Sequence, residues 1–167
     1  MRNKFLTLCL VLLCMGATTV LKAENEKPFV IPELRQWKGA DGMVAVSPGT
    51  KVIYVNAELA DAAEAIAEDY GLLFGKAMKA KKASKAPKGA IIMALTDDKE
   101  LGDEGYSIKI DDCIAIEANT PTGAYWATRT LLQILEQYEG THLPKGTIRD
   151  WPDYALRGQR RFVTNFY

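Results

Sequence analysis

Between Tyr106 and Tyr138 the apolar residues change period once, and that change constrains the fold more than any other feature of the chain. Tyr106, Ile108 and Ile110 alternate with Ser107 and Lys109, the period of a strand with one buried face. Asp111-Asp112 turns the chain and Cys113–Glu117 returns, so the segment reads as a hairpin. Thr120-Pro121 then offers a cap residue followed by proline at the first helical position. From there Ala124, Ala127, Leu131, Ile134, Leu135 and Tyr138 recur at helical spacing, and Gly140 ends the helix. A half-buried hairpin leading directly into an amphipathic helix can bury both apolar surfaces only by stacking helix on sheet.

The preceding residues add a second unit of the same kind. Phe29–Pro32 is extended, because Pro32 biases Ile31 away from helix. Gly39-Ala40-Asp41-Gly42 and Ser47-Pro48-Gly49 read as turns around the short apolar piece Met43–Val46. Val52–Val55 is β-branched and aromatic, hence a strand. Leu59, Ala63, Ile66, Tyr70, Leu73 and Phe74 then mark one helical stripe, with Asn56 as its N-cap and Gly75 near its end. The lysine-rich run Lys76–Lys88 reads as a solvated helix end and loop rather than an anion-binding patch. Ala90–Leu95 is a continuous apolar run, an inner strand, and Lys145–Ile148 is a last short strand or an extended exit. The fold class is therefore α+β: a two-layer domain with a mainly antiparallel sheet and two helices on one face.

The first residues belong to a different regime. Arg2 and Lys4 precede the apolar run Phe5–Met15, and small residues lead to Leu21-Lys22-Ala23. This is the pattern of a secretory signal cleaved after Ala23, and the apolar run is too short to span a bilayer. The chain after cleavage has no second candidate span and is expected in the periplasm or at the outer surface. Cleavage removes Cys9 and Cys14 and leaves Cys113 alone, so no internal disulfide is possible. In the run Cys113–Ile116 that thiol reads as buried and inert. Cleavage also removes Arg2, Lys4 and Lys22, leaving 18 Lys+Arg against 21 Asp+Glu. That mildly acidic balance argues against nucleic acid as a partner.

No catalytic constellation stands out. His142 is the only histidine and lies beside Gly140, Thr141 and Pro144, without the spaced ligands a metal needs. Asp97-Asp98 and Asp111-Asp112 sit at turns, where aspartate is favoured for backbone reasons.

An ordered set of residues carries a resemblance. Glu104-Gly105-Tyr106 opens a strand; Ile114-Ala115-Ile116 follows with Ala118; Gly123 stands two residues before Tyr125; Thr130-Leu131-Leu132-Gln133 lies on the helix. Ile148, Asp150, Pro152 and Tyr154 come next, and then Arg157-Gly158. The set resembles the second half of the small N-terminal domain of glycoside hydrolase family 20, the β-N-acetylhexosaminidases, and the lead-in to their catalytic barrel. After the signal expected over residues 1–23, the resemblance implies the small α+β domain over residues 24–150 and the start of a (β/α)8 barrel over residues 151–167. It implies hydrolysis of terminal β-linked N-acetylhexosamine with the substrate's own acetamido group as nucleophile, without cofactor or metal. Tyr125, Trp126 and Leu131–Leu135 would dock the helix on the sheet, and Gly123 would permit close approach at the helix start.

The resemblance assigns one substrate-binding position, Arg157, which matches the arginine at the barrel mouth that hydrogen-bonds sugar hydroxyls. The catalytic Asp-Glu pair lies far down the barrel, so no catalytic residue is assigned in this chain and a glycan partner is expected only with the barrel present. After Arg157-Gly158 the pattern breaks: Gln159-Arg160-Arg161 interrupts the first barrel strand, Phe162 replaces an aspartate and Asn165 an arginine. This break implies a truncated or frame-shifted product. Two alternatives remain: the same domain before a family-84-like hexosaminidase or α-glucuronidase barrel, or a stand-alone glycan-binding module. The sequence leaves the oligomeric state open.

Overall fold

The computed structural model describes residues 24–154. Residues 1–23, where a signal is expected, Arg157 and the residues after Gly158 lie outside the described residues. Seven strands and two long helices follow in order: β1 (Gln36–Ala45), β2 (Lys51–Tyr54), a single 3-10 turn (Ala57–Leu59), α1 (Ala60–Phe74), β3 (Lys79–Lys82), β4 (Ile91–Leu95), β5 (Tyr106–Ile110), β6 (Ile114–Ala118), α2 (Pro121–Gln137) and β7 (His142–Asp150). They form one sheet in the order β1-β7-β5-β6-β4-β2-β3, with α1 and α2 packed side by side against it. The α+β layering matches the expectation.

The sheet is mixed. β1, β7, β5 and β6 pair antiparallel, whereas β6, β4, β2 and β3 pair parallel. The mainly antiparallel character expected from the hairpin holds for the first half only. In the other half α1 carries the chain from β2 to its neighbour β3, and a crossover of that kind returns the strand in the same direction.

Register explains the core. Ile148, Ile108, Ile116, Met93 and Tyr54 are successive cross-strand partners, and Ile110, Ile114, Ile91, Val52 and Ala80 form the adjacent row. The isoleucines of both rows are buried under the helices, with Ala63, Ile66 and Tyr70 from α1 and Ala124, Ala127, Leu131, Ile134 and Leu135 from α2. Thr120 caps α2 by accepting a hydrogen bond from the Gly123 N–H at 3.2 Å, with Pro121 directly after it. Gly123 is required by space: a Cβ there would come within 2.4 Å of the Gly105 carbonyl oxygen. Gly75 caps α1 in the left-handed region, at φ 92°.

Several local expectations are corrected. Asn56 does not cap α1; its Oδ1 accepts from the Leu95 N–H at 2.9 Å, tying the loop to β4 instead. Leu73 leaves the α1 stripe and is 53% exposed, beside the exposed Leu72. Residues 39–42 are not a turn but a register shift inside the β1–β7 ladder. The lysine-rich run includes the edge strand β3, whose Lys79, Lys81 and Lys82 are exposed; lysines on an edge discourage further strand addition. Cys113 is half-buried, with its Sγ against the Pro87 carbonyl at 3.4 Å. Tyr125 and Trp126 do not dock on the sheet: they lie on the outer side of α2, and Tyr138 is likewise exposed at its end. No helix among the described residues is long and apolar enough to cross a membrane.

Candidate functional site

The extended segment before β1 runs along the outer side of α2. Val30 and Leu34 point inward and are buried, while Phe29 and Ile31 point outward at 72% and 68% exposure. Alternation of this kind is the habit of an extended chain. Two glutamines one turn apart hold it in place. Gln133 donates to the Ile31 carbonyl at 3.2 Å and accepts from its N–H at 2.9 Å. Gln137 does the same for Phe29, at 2.7 and 3.3 Å. The side-chain amides thus replace a neighbouring strand and satisfy backbone groups that no ladder reaches.

This strap, α2 and the residues leaving β7 enclose an open groove of about 420 Å³. Ile31, Trp126, Trp151 and Tyr154 give it apolar walls; Arg35, Arg129, Glu104 and Asp153 line its polar parts. Trp126 is 40% exposed and meets Tyr125 edge-on, with ring centroids 5.5 Å apart. Arg129 lies over the Tyr125 ring at 4.6 Å and pairs with Asp69 of α1 at 2.5 Å. A planar guanidinium is suited to making both contacts at once.

At the floor of the groove is a small polar network. Tyr106 and Asp150 are direct partners across β5 and β7. The Tyr106 hydroxyl donates to Asp150 Oδ2 at 2.9 Å and lies 2.5 Å from Thr130 Oγ1. Burial holds the Tyr106 phenol protonated well above its ordinary range, and the nearby Asp150 charge adds to that effect. The second Asp150 oxygen accepts the Arg35 N–H at 3.2 Å.

Three of the turn aspartates, Asp98, Asp111 and Asp112, are in ion pairs. Arg149 contacts Asp98 at 2.7 Å and also reaches Glu100; the Arg149 hydrogen bond, helped by the Glu100 N–H, holds the Asp98 carboxyl below its usual range. Lys145 lies 2.9 Å from Asp111 and lowers that carboxyl in the same way. His142 is exposed at the start of β7, with Nδ1 2.9 Å from its neighbour Thr141 Oγ1. Among the described residues no three His, Cys, Asp or Glu side chains converge as a metal site would require.

The groove joins residues that no local pattern grouped. Asp150, Pro152, Tyr154 and Gln133 belong to the ordered set noted in the sequence, and the fold brings them to one place. Arg35 carried no sequence signal, since a single arginine before a strand is unremarkable until its partners are known. Trp126 could have been separated from the core stripe by its helical angle, because it lies between Ala124 and Ala127 rather than in line with Leu131 and Leu135.

A family model described as "Glycosyl hydrolase family 20, domain 2" matches residues 27–151. A lacto-N-biosidase from Bifidobacterium bifidum is 29% identical over 145 residues, which are 86% of this chain and 13% of that protein. In structure the chain is similar to the Streptomyces plicatus N-acetyl-β-hexosaminidase, with a TM-score of 0.65 and 22% identity over 81% of this chain and 28% of that one. It is also similar to a β-N-acetylhexosaminidase from Bacteroides fragilis, with a TM-score of 0.58 and 18% identity over 75% of this chain and 25% of that one. The chain thus spans less than a third of the length of each of these relatives.

Proposed function

This chain belongs to glycosyl hydrolase family 20, as its domain 2, and from that premise we propose that it is the non-catalytic N-terminal part of an exported β-N-acetylhexosaminidase. The reaction is hydrolysis of terminal β-linked N-acetylhexosamine from glycans. The catalytic Asp-Glu pair belongs to a barrel that follows the domain, so the 167-residue chain alone is inactive. Arg157 is its one contribution to sugar binding.

One observation carries this reading: the matched residues end at Trp151, within the segment that leaves β7 across an open, partly apolar groove. Ile31, Trp126 and Tyr154 expose apolar area on that side, whereas isoleucines of the sheet face are sealed beneath α1 and α2. Exposed aromatic and aliphatic groups around a chain exit suit a surface that packs on the next domain. The domain would then brace the barrel and set the position of its first strand.

The test is hydrolysis of a chromogenic β-N-acetylglucosaminide by this chain and by a version extended with the downstream coding sequence read in all frames. Cleavage by the extended protein alone is the expected result. Cleavage by the short chain, or an absence of cleavage by an extended protein that folds, would overturn the proposal.

A further inference from the structure

We propose that Arg35 is a positioning residue: it latches the segment leaving β7 and so fixes the path on which the chain departs from the domain. The consequence for Arg157, seven residues beyond Asp150, rests on the proposed function; the latch itself rests on geometry. Arg35 stands between the strap and β1. Its backbone N–H donates to Asp150 Oδ1 at 3.2 Å, and its Nε donates to the Trp151 carbonyl at 2.6 Å. Its Nη2 pairs with the Asp153 carboxylate, and its guanidinium lies over the Trp151 ring at 4.9 Å. One residue therefore holds Asp150, Trp151 and Asp153 together.

Sheet pairing does not do this work, because β7 ends at Asp150. Behind the latch, Tyr106 ties Asp150 to β5, and Thr130 ties Tyr106 to α2. The departing chain is thus referred at once to strap, sheet and helix. The fork of a guanidinium is what the arrangement uses: it donates in two directions while its face stacks on an indole. A lysine ammonium carries the charge but cannot meet these three demands together.

The test uses the chain labelled with 5-fluorotryptophan, whose fluorine NMR spectrum has one resonance each for Trp37, Trp126 and Trp151. Arg35→Ala and Arg35→Lys should both move the Trp151 resonance toward that of the free amino acid and narrow it, while the Trp37 resonance stays in its folded position. Asp153→Asn, a change at an exposed carboxylate, should give a smaller shift in the same direction and covers the case in which Arg35→Ala fails to fold. An unmoved Trp151 resonance in Arg35→Ala, or full restoration by lysine, overturns the latch. In the extended enzyme, Arg35→Ala should raise KM for the glucosaminide about tenfold with kcat changed less than about twofold, the signature of lost sugar binding. An unchanged KM overturns the link to Arg157. An extended wild-type enzyme without activity overturns the proposed function, while the fluorine result still decides the latch.

Discussion

The two sides of α2 hold their neighbours by different physics. The inner side presents Ala124, Ala127, Leu131, Ile134 and Leu135, all fully buried on the isoleucine rows of the sheet. It binds by area and close packing, worth roughly 1.5–3 kcal/mol for each large side chain. The outer side presents Trp126, Arg129, Gln133 and Gln137, and it binds by direction: an ion pair to Asp69, a ring contact to Tyr125 and the amide ladder to Phe29 and Ile31. Each such hydrogen bond contributes only about 0.5–1.5 kcal/mol net, yet each fixes a geometry. One helix thus supplies stability on one side and shapes a surface on the other. Changes on the inner side should unfold the domain, and changes on the outer side should alter what it can hold.

The sharpest way to break the comparison is Leu131→Ala. Leu131 is fully buried between α2 and the sheet, so truncation should cost about 2–5 kcal/mol, read as a lower denaturant midpoint with little change in slope. A cost below about 1 kcal/mol would mean the inner side is not packed as described.

Tyr106→Phe tests the boundary between the two sides. Removing the hydroxyl leaves Thr130 and Asp150 short of a partner, a loss of about 1–3 kcal/mol. The same variant has a pH signature. The folded phenol is held protonated above its ordinary value, so the folded state keeps a proton that the unfolded state releases. The contribution of Tyr106 is fully present below the unfolded tyrosine value of about 10 and declines as the pH rises beyond it. Wild type should therefore lose stability more steeply than Tyr106→Phe above that pH, measured by urea melts across the alkaline range. Parallel curves would contradict the buried phenol.

The smallest effect on folding belongs to Trp126→Ala. The ring is only partly buried, and its removal should change the stability of this chain by less than about 1 kcal/mol. In the extended enzyme the same change should lower the melting temperature and loosen the domain against the barrel. A large loss in the short chain would place Trp126 among the residues that build the fold.

The elements were legible wherever period and punctuation agreed. The hairpin from Tyr106 to Ala118, the Thr120-Pro121 start of α2 and the Gly75 end of α1 follow from alternation, capping and backbone freedom, which act over a few residues. Local reasoning failed where a distant partner intervened. Asn56 gave up the cap because Leu95 offered it a backbone N–H, and the presumed turn at residues 39–42 was absorbed by the long pairing of β1 with β7. The candidate site was legible only in part. Asp150, Pro152 and Tyr154 belong to an ordered set visible in the chain, whereas Arg35 is separated from Asp150 by more than a hundred residues and has no local mark.

By itself the sequence determined the layering, because two amphipathic helices and a half-buried hairpin have one way to hide their apolar faces together. It also pointed to the family, because an ordered set of residues runs from Glu104 to Gly158. Only the tertiary structure decided that half the sheet runs parallel, that the aromatics at the start of α2 face outward and that an arginine before β1 grips the chain as it leaves β7. Those outcomes depend on contacts between residues far apart in sequence, and local periodicity carries no information about which distant groups will meet.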